Sequence, residues 1–218
     1  MSDYEYILFD LDGTLSDSAK GIINGVCIAL QHFGIEVKDK SELYKFIGPP
    51  IFHSFSNYYG FDNEKAKEAV CVYREYYAKT GLFENELYDG IEKMLKNLIA
   101  EGKHLLVATG KPESYSVTIL KYFGIADCFD FIGGATMDGK VGTKAEVIAH
   151  TLKEAGVTDI SKAVMVGDRK YDVSGANEIG IDCIGVLYGY GDEDELRSAG
   201  AKYIANTVED IERILLRR

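Results

Sequence analysis

Short runs that are apolar throughout alternate along most of the chain with amphipathic segments of helical period. Tyr6-Ile7-Leu8-Phe9, Leu105-Leu106-Val107-Ala108 and Ala163-Val164-Met165-Val166 are such runs. A strand with one face in water alternates apolar and polar positions, whereas an unbroken run marks a strand covered on both faces, hence a parallel sheet between helices. The pattern predicts strands near 5–9, 104–108, 129–133, 162–166, 182–186 and 202–204. Gly102, Gly124, Gly156 and Gly180 each fall just past a predicted helix, where the left-handed turn favours glycine. The expected fold class is α/β, a Rossmann-like parallel sheet flanked by helices. With the first strand central, its carboxyl end lies at the crevice where the winding reverses, the place such sheets use for ligands.

Residues 16–81 break the rhythm, with helical periodicity and no convincing strand. Ile22, Ile23, Val26, Leu30 and Phe33 form one stripe and Ala66, Val70, Tyr73 and Tyr77 another. The block reads as an all-α cap domain (16–81) inserted into a core made of 1–15 and 82–218, hinged at Leu15-Ser16-Asp17 and within Gly81 to Gly90. Its Phe46-Ile47-Gly48-Pro49-Pro50 loop is expected to lean over the carboxyl end of the first strand. Tyr58, Tyr59, Tyr73, Tyr76 and Tyr77 read as bundle core rather than a base-stacking surface, and His53 as a surface or packing residue. The chain holds no internal repeat or low-complexity segment.

The chemistry-bearing residues cluster at strand ends. Asp10-Leu11-Asp12-Gly13-Thr14 follows the first strand directly, and Gly13 lets the chain turn so that two carboxylates converge on one small volume. One can attack while the other moves a proton. Gly167-Asp168-Arg169-Lys170-Tyr171-Asp172 follows the fourth strand, so Asp10 and Asp168 could hold Mg²⁺, which prefers a few hard oxygen ligands. Asp172 reads either as an anchor for a metal-bound water or as an acid at a helix N-terminus. Thr109-Gly110-Lys111-Pro112 ends the second strand. There the Thr109 hydroxyl and the Gly110 amide, beside a proline-started helix, form a candidate phosphate cradle. Lys140 and Lys144 compete to neutralise the phosphoryl charge. Lys140 follows the turn pair Asp138-Gly139, while Lys144 opens a segment with Val147, Ile148, Leu152 and Ala155 on one face, which favours Lys144.

In this order, Asp10-Leu11-Asp12-Gly13-Thr14, Thr109, Lys144 and the Gly-Asp-x-x-x-Asp run at 167–172 resemble the four motifs of the haloacid dehalogenase superfamily over nearly the whole chain. The phosphatase branch with a helical cap is the nearest likeness, as in phosphoglycolate phosphatases and bacterial 5′-nucleotidase-like proteins. Phe46 to Pro50, Leu87-Tyr88-Asp89-Gly90 and Gly185 to Gly191 are similar to secondary signatures of that group. Gly110 departs from it, since many relatives carry Asn there. The resemblance implies a Mg²⁺-dependent phosphomonoesterase acting on a small phosphorylated metabolite. Asp10 would be the nucleophile, Asp12 the acid and base, Thr109, Gly110 and Lys144 the phosphoryl contacts, and Asp10, Asp12 and Asp168 the metal site, with Asp172 behind them. A phosphosugar mutase of the same superfamily and a catalytically retired binding or regulatory module are the alternatives.

Composition narrows the classes. The 218 residues are 46% hydrophobic and 27% charged, ordinary for a globular chain that forms one core with an accessory domain. A net charge of −11 argues against a nucleic-acid or anionic-membrane surface, because phosphate backbones are bound by clustered Lys and Arg. Cys27, Cys71, Cys128 and Cys183 are scattered and no apolar run approaches the roughly 20 residues of a membrane span, so a cytoplasmic protein is expected. Monomer and homodimer are both open.

Overall fold

The computed structural model describes residues 4–137 and 140–216. The chain divides into two compact units, one taking in everything up to Ser16 and from Leu87 onward, the other Asp17–Glu86.

In chain order the strands are β1 (Tyr6–Phe9), the two-residue β2 (Ser16–Asp17) and β3 (Glu86–Leu87), β4 (His104–Pro112), β5 (Phe131–Ala135), β6 (Ala163–Gly167), β7 (Asp182–Val186) and β8 (Tyr203–Ala205). Six of them form one sheet in the order β5-β4-β1-β6-β7-β8, with every pairing parallel. The chain leaves the central β1 for β4 and β5 on one side and then crosses to β6, β7 and β8 on the other. The winding therefore reverses beside β1. Phe9 lies level with Val107 of β4 and Val166 of β6, so the residues that follow all three strands emerge at one edge.

Helices α4 (Ile91–Ala100), α5 (Glu113–Tyr122), α6 (Lys144–Glu154), α7 (Lys170–Ile179), α8 (Glu193–Ala199) and α9 (Val208–Leu216) belong to this unit. Leu8, Leu106, Met165 and Cys183 from the sheet pack against Val147, Ile148 and Leu152 of α6 and Val173 and Ala176 of α7. The alternate positions Ile7, Phe9, Leu105, Val107, Val164 and Val166 are also buried, which is why these strands read as unbroken apolar runs. Each such side chain contributes about 1.5–3 kcal/mol on burial, enough to fix the strand register on which the site depends.

One strand overruns its expected end. Rather than stopping at Ala108, β4 continues to Pro112, and α5 begins at Glu113 with Pro112 in the capping position and no side-chain cap. The reason lies across the sheet, where Gly133 and Gly134 of β5 offer an extended partner. The register slips there, Thr109 pairing with Gly134 and Pro112 with Ala135, which leaves a bulge at Gly110 and Lys111.

The second unit contains α1 (Ala19–His32), α2 (Ile51–Tyr59) and α3 (Asn63–Lys79), with 3₁₀ turns at Lys40–Phe46 and Gly81–Phe83. Ile22, Ile23, Val26 and Leu30 of α1 and Ala66, Val70, Tyr73 and Tyr77 of α3 are buried as the stripes require, with Phe33 half-buried. Tyr73 and Tyr77 stack at 5.2 Å, Tyr58 is exposed, and Tyr76 donates its hydroxyl to Glu84 at 2.6 Å. His53 is exposed. Within the Phe46 to Pro50 loop, Phe46 and Ile47 are interior residues of this unit, and Phe46 meets Phe55 at 5.3 Å and Tyr58 at 5.4 Å. The unit also ends at Glu86 rather than at 81, because Leu82 is buried and Glu84 binds Asn24 of α1 at 3.1 Å and Tyr76 of α3.

Among the described residues no helix is long and apolar enough to cross a membrane. The four cysteines are unpaired.

Candidate active site

After β1 the chain turns within Asp10–Thr14. The Leu11 amide donates to Asp10 Oδ1 at 2.8 Å and the Leu15 and Ser16 amides return to the Leu11 carbonyl at 3.0 Å, which fixes the Asp10 side chain at the sheet edge. Gly13 has φ +82°, a conformation that resists any side chain, and a Cβ there would overlap the Asp168 carboxylate. The close approach of the β1 and β6 ends therefore depends on this glycine.

Lys144 enters the same volume from α6. Thr143 caps that helix by accepting from the Glu146 amide at 3.2 Å, while Glu146 accepts from the Thr143 amide at 3.0 Å, a reciprocal pair that sets Lys144 at the first helical position. Its ammonium lies 3.0 Å from Asp10 Oδ1 and 2.7 Å from Asp172 Oδ1, and donates to the Ala108 carbonyl at 3.2 Å. Lys140 is exposed. The turn pair Asp138-Gly139 lies outside the described residues.

Asp168 is fully buried, and its Oδ2 accepts from the Tyr190 amide at 2.7 Å. Its Oδ1 is buried with no hydrogen-bond partner among the described residues. Asp172 is an acid at a helix N-terminus, its Oδ2 accepting from the Arg169 amide at 3.0 Å at the start of α7, and its Oδ1 lies on the Lys144 ammonium. Asp10, Asp168 and Asp172 each present an oxygen within 4.8 Å of the others. The Asp12 carboxylate stands apart from this trio, held elsewhere by Lys111. Among the described residues, three buried carboxylates share the Lys144 ammonium and leave excess negative charge out of water, and the donor set is hard oxygen with one atom, Asp168 Oδ1, lacking a hydrogen-bond partner. A divalent cation such as Mg²⁺ fits these residues.

The electrostatics follow from the crowding. Burial raises the Asp10 pKa, with Asp172 adding to the shift and Lys144 and the hydrogen bond from Thr109 opposing it. Burial and the neighbouring Asp172 and Asp10 push Asp168 well above the usual carboxylate range, against the pull of the Tyr190 amide. Burial alone would discharge Lys144, yet Asp10 and Asp172 outweigh it and hold the ammonium above its ordinary value.

The far end of β4 adds Thr109, which is buried and hydrogen-bonded to Asp10, and Gly110, which is exposed with open space around it. It also adds Lys111, to which the sequence pattern assigns no role. The Lys111 ammonium donates to both oxygens of the Asp12 carboxylate, at 2.9 and 2.7 Å, with only 5% of its side chain exposed. A lysine at a predicted strand-to-helix turn ordinarily reads as surface. The clue that could have found it is the pair of glycines at 133 and 134, which lets β4 continue and bulge.

The sequence profile described as haloacid dehalogenase-like hydrolase matches residues 7–186. The chain is 45% identical over 195 residues to a protein named 5′-nucleotidase from Pseudomonas aeruginosa, covering 89% of this chain and 88% of that one. It is 38% identical over 213 residues to a protein named tyrosine-protein kinase PtkA from Mycobacterium tuberculosis, covering 97% of this chain and 72% of the other. A solved structure described as a predicted phosphatase from Clostridium acetobutylicum superposes with a TM-score of 0.96 at 47% identity and full coverage of both chains. The chain thus belongs to the haloacid dehalogenase-like hydrolase family, among its phosphatases.

Proposed function

We propose that the protein is a Mg²⁺-dependent phosphomonoesterase that hydrolyses a small phosphorylated metabolite through an aspartyl-phosphate on Asp10. The observation that carries this reading is the convergence of Asp10, Thr109, Lys144 and Asp168 from four separate segments onto one sheet edge beside β1. Asp10 attacks phosphorus while the phosphoester bond breaks, and Asp12 gives a proton to the leaving oxygen. In the second half Asp12 takes a proton from the water that hydrolyses the acyl phosphate, regenerating Asp10. Thr109 and the Gly110 amide hold the phosphoryl oxygens, and Lys144 offsets the charge shared by nucleophile and phosphate. Asp10 and Asp168, with Asp172 beside them, would hold Mg²⁺, which would supply charge neutralisation at the phosphoryl group. The helical unit would act as a cap that shelters the site and sorts substrates. A phosphoglycolate phosphatase from Colwellia psychrerythraea, 29% identical over 97% of this chain, and the 5′-nucleotidase above are the kinds of activity to test first.

The test is phosphate release from p-nitrophenyl phosphate and a panel of phosphorylated metabolites with and without Mg²⁺. Release that needs Mg²⁺ and vanishes in Asp10→Asn supports the reading. A protein that isomerises a sugar phosphate without net release is a mutase instead, and one inert on every ester is a binding module.

A further inference from the structure

Glu195 is the third residue of α8, and its carboxylate leaves its own helix. Asp192 caps α8 by accepting from the Glu195 amide at 2.7 Å, and at that spacing the glutamate side chain ordinarily turns back to the capping residue. Here its Oε1 accepts from the Lys170 amide at 2.8 Å and from Arg169 Nε at 2.9 Å, with 21% of the Glu195 side chain and 15% of the Arg169 side chain exposed. Arg169 and Lys170 lie between Asp168 and Asp172, two of the three carboxylates that converge beside β1. Consecutive amides of this segment are thus taken by two acids, that of Arg169 by Asp172 from inside the site and that of Lys170 by Glu195 from outside it. The support behind the contact is firm. Leu196, next to Glu195, is fully buried, and a Cβ on Gly185 of β7 would come within 2.9 Å of its side chain. A Cβ on Gly191, just ahead of α8, would overlap the Asp168 carbonyl, so the chain entering this helix lies directly on the backbone of the same segment.

We propose that Glu195 is a positioning residue for the metal site. By holding the Lys170 amide and the Arg169 side chain, it fixes the peptide that joins Asp168 to Asp172 and sets the direction of both carboxylates before a cation binds. The inference rests on the reading of Asp168, with Asp172 beside it, as part of the Mg²⁺ site. A cation held by few protein oxygens gains affinity when those oxygens are arranged in advance, because ordering them at the moment of binding costs entropy. Three bonded neighbours of the segment, Glu195, Asp172 and the Gly191 backbone, supply that order from different sides, and Glu195 is the one that reaches it from a separate helix. Its role is exerted through Arg169 and Lys170, and it touches neither the reacting phosphoryl group nor the cation.

The experiment follows the melting temperature of the full chain as Mg²⁺ is titrated into chelator-treated protein, alongside the Mg²⁺ dependence of p-nitrophenyl phosphate hydrolysis. Glu195→Ala should raise the Mg²⁺ concentration of the half-maximal melting shift by about tenfold to a hundredfold, the scale of losing a partner that orients a metal ligand. Half-saturating Mg²⁺ in hydrolysis should rise by the same factor, while KM for the ester and kcat at saturating Mg²⁺ change much less. Glu195→Gln keeps an oxygen for the Lys170 amide and should raise the midpoint by a smaller factor; where the alanine variant fails to fold, it carries the same comparison. Glu193→Ala breaks an exposed pair with Arg197 on the same helix and should leave the Mg²⁺ midpoint at the wild-type value. Glu195 variants that melt lower by the same amount with chelator and with Mg²⁺, at an unchanged midpoint, overturn the inference and leave the phosphomonoesterase reading intact. A raised midpoint in a protein that hydrolyses no ester supports the inference and overturns that reading. A wild type whose melting ignores Mg²⁺ overturns the metal reading and the inference together.

Discussion

Asp10 and Lys144 stand far apart in the chain and meet at 3.0 Å, their carboxylate and ammonium buried together at the carboxyl end of β1. Lys144 also serves Asp172, so its removal exposes two carboxylates to each other without compensation. Lys144→Met is expected to lower kcat/KM by about 10²-fold or more, as for loss of one preorganised donor. In metal-free protein it should also cost about 3–5 kcal/mol in urea unfolding, because one partner of a buried pair is gone. Lys140→Met, at an exposed position, should leave both measurements near the wild type. The reverse pattern would assign the neutralising role to Lys140.

Asp12→Asn tests the proton-transfer role through the leaving group. The loss should reach about 10²–10⁴-fold on an alkyl phosphate, whose leaving oxygen needs a proton, and be much smaller for the first step with p-nitrophenyl phosphate. Burst kinetics on p-nitrophenyl phosphate separate that step from hydrolysis of the intermediate. Equal losses in formation of the intermediate from both esters would argue against an acid at Asp12.

Metal removal should be visible in stability as well as rate. Mg²⁺ bound by the folded state alone stabilises it, by about 2.7 kcal/mol at a hundred times its dissociation constant, so the melting temperature should rise with Mg²⁺ and fall with a chelator. Asp168→Asn should abolish most of that rise. The sign for metal-free protein is different. Burial and like charge raise the Asp168 pKa, so its ionised form opposes folding once the pH passes the ordinary carboxylate range. Asparagine removes the charge and keeps an acceptor for the Tyr190 amide. At neutral pH, metal-free Asp168→Asn should therefore melt no lower than metal-free wild type, and a clear drop would contradict this account.

Two glycines near the site should respond in opposite ways to alanine. A Cβ on Gly189 would overlap the Gly13 carbonyl and the Asp168 side chain, so Gly189→Ala should cost about 1–3 kcal/mol and weaken the response to Mg²⁺. Gly110 faces open space, and Gly110→Ala should leave unfolding unchanged or slightly more favourable to the folded state. Denaturant titration of both variants checks the pair.

The parts of this arrangement legible in the sequence are those in which local pattern and global fold coincide. Asp10 and Asp168 could be placed because each follows an unbroken apolar run that only a strand buried on both faces explains. Lys144 could be placed because the apolar stripe through Val147, Ile148 and Leu152 marks the start of its helix. Lys111 was illegible for a physical reason: a bulge paired to Gly133-Gly134 across the sheet sets its course, and pairing between strands is not written in either strand alone. The burial of Phe46 and Ile47 is not legible locally, because proline and glycine after them signal a loop while Phe46 packs on α2 aromatics such as Phe55 and Tyr58. The boundary at Glu86 depends on contacts from Glu84 back to Asn24, a closure over many residues that no local signal announces.

The central position of β1 also constrains how the protein is made. Its two neighbours, β4 and β6, pair Tyr6 with His104 and with Ala163, so β1 is synthesised long before either partner exists. Pairings of such sequence separation carry the loop-closure penalty of high contact order and form late. The Asp168 carboxylate gains its Tyr190 amide later still. On the ribosome, an apolar strand that ends in paired aspartates must wait with open edges until β4 and then β6 have been made, so the growing chain depends on that segment being shielded until β6 has emerged.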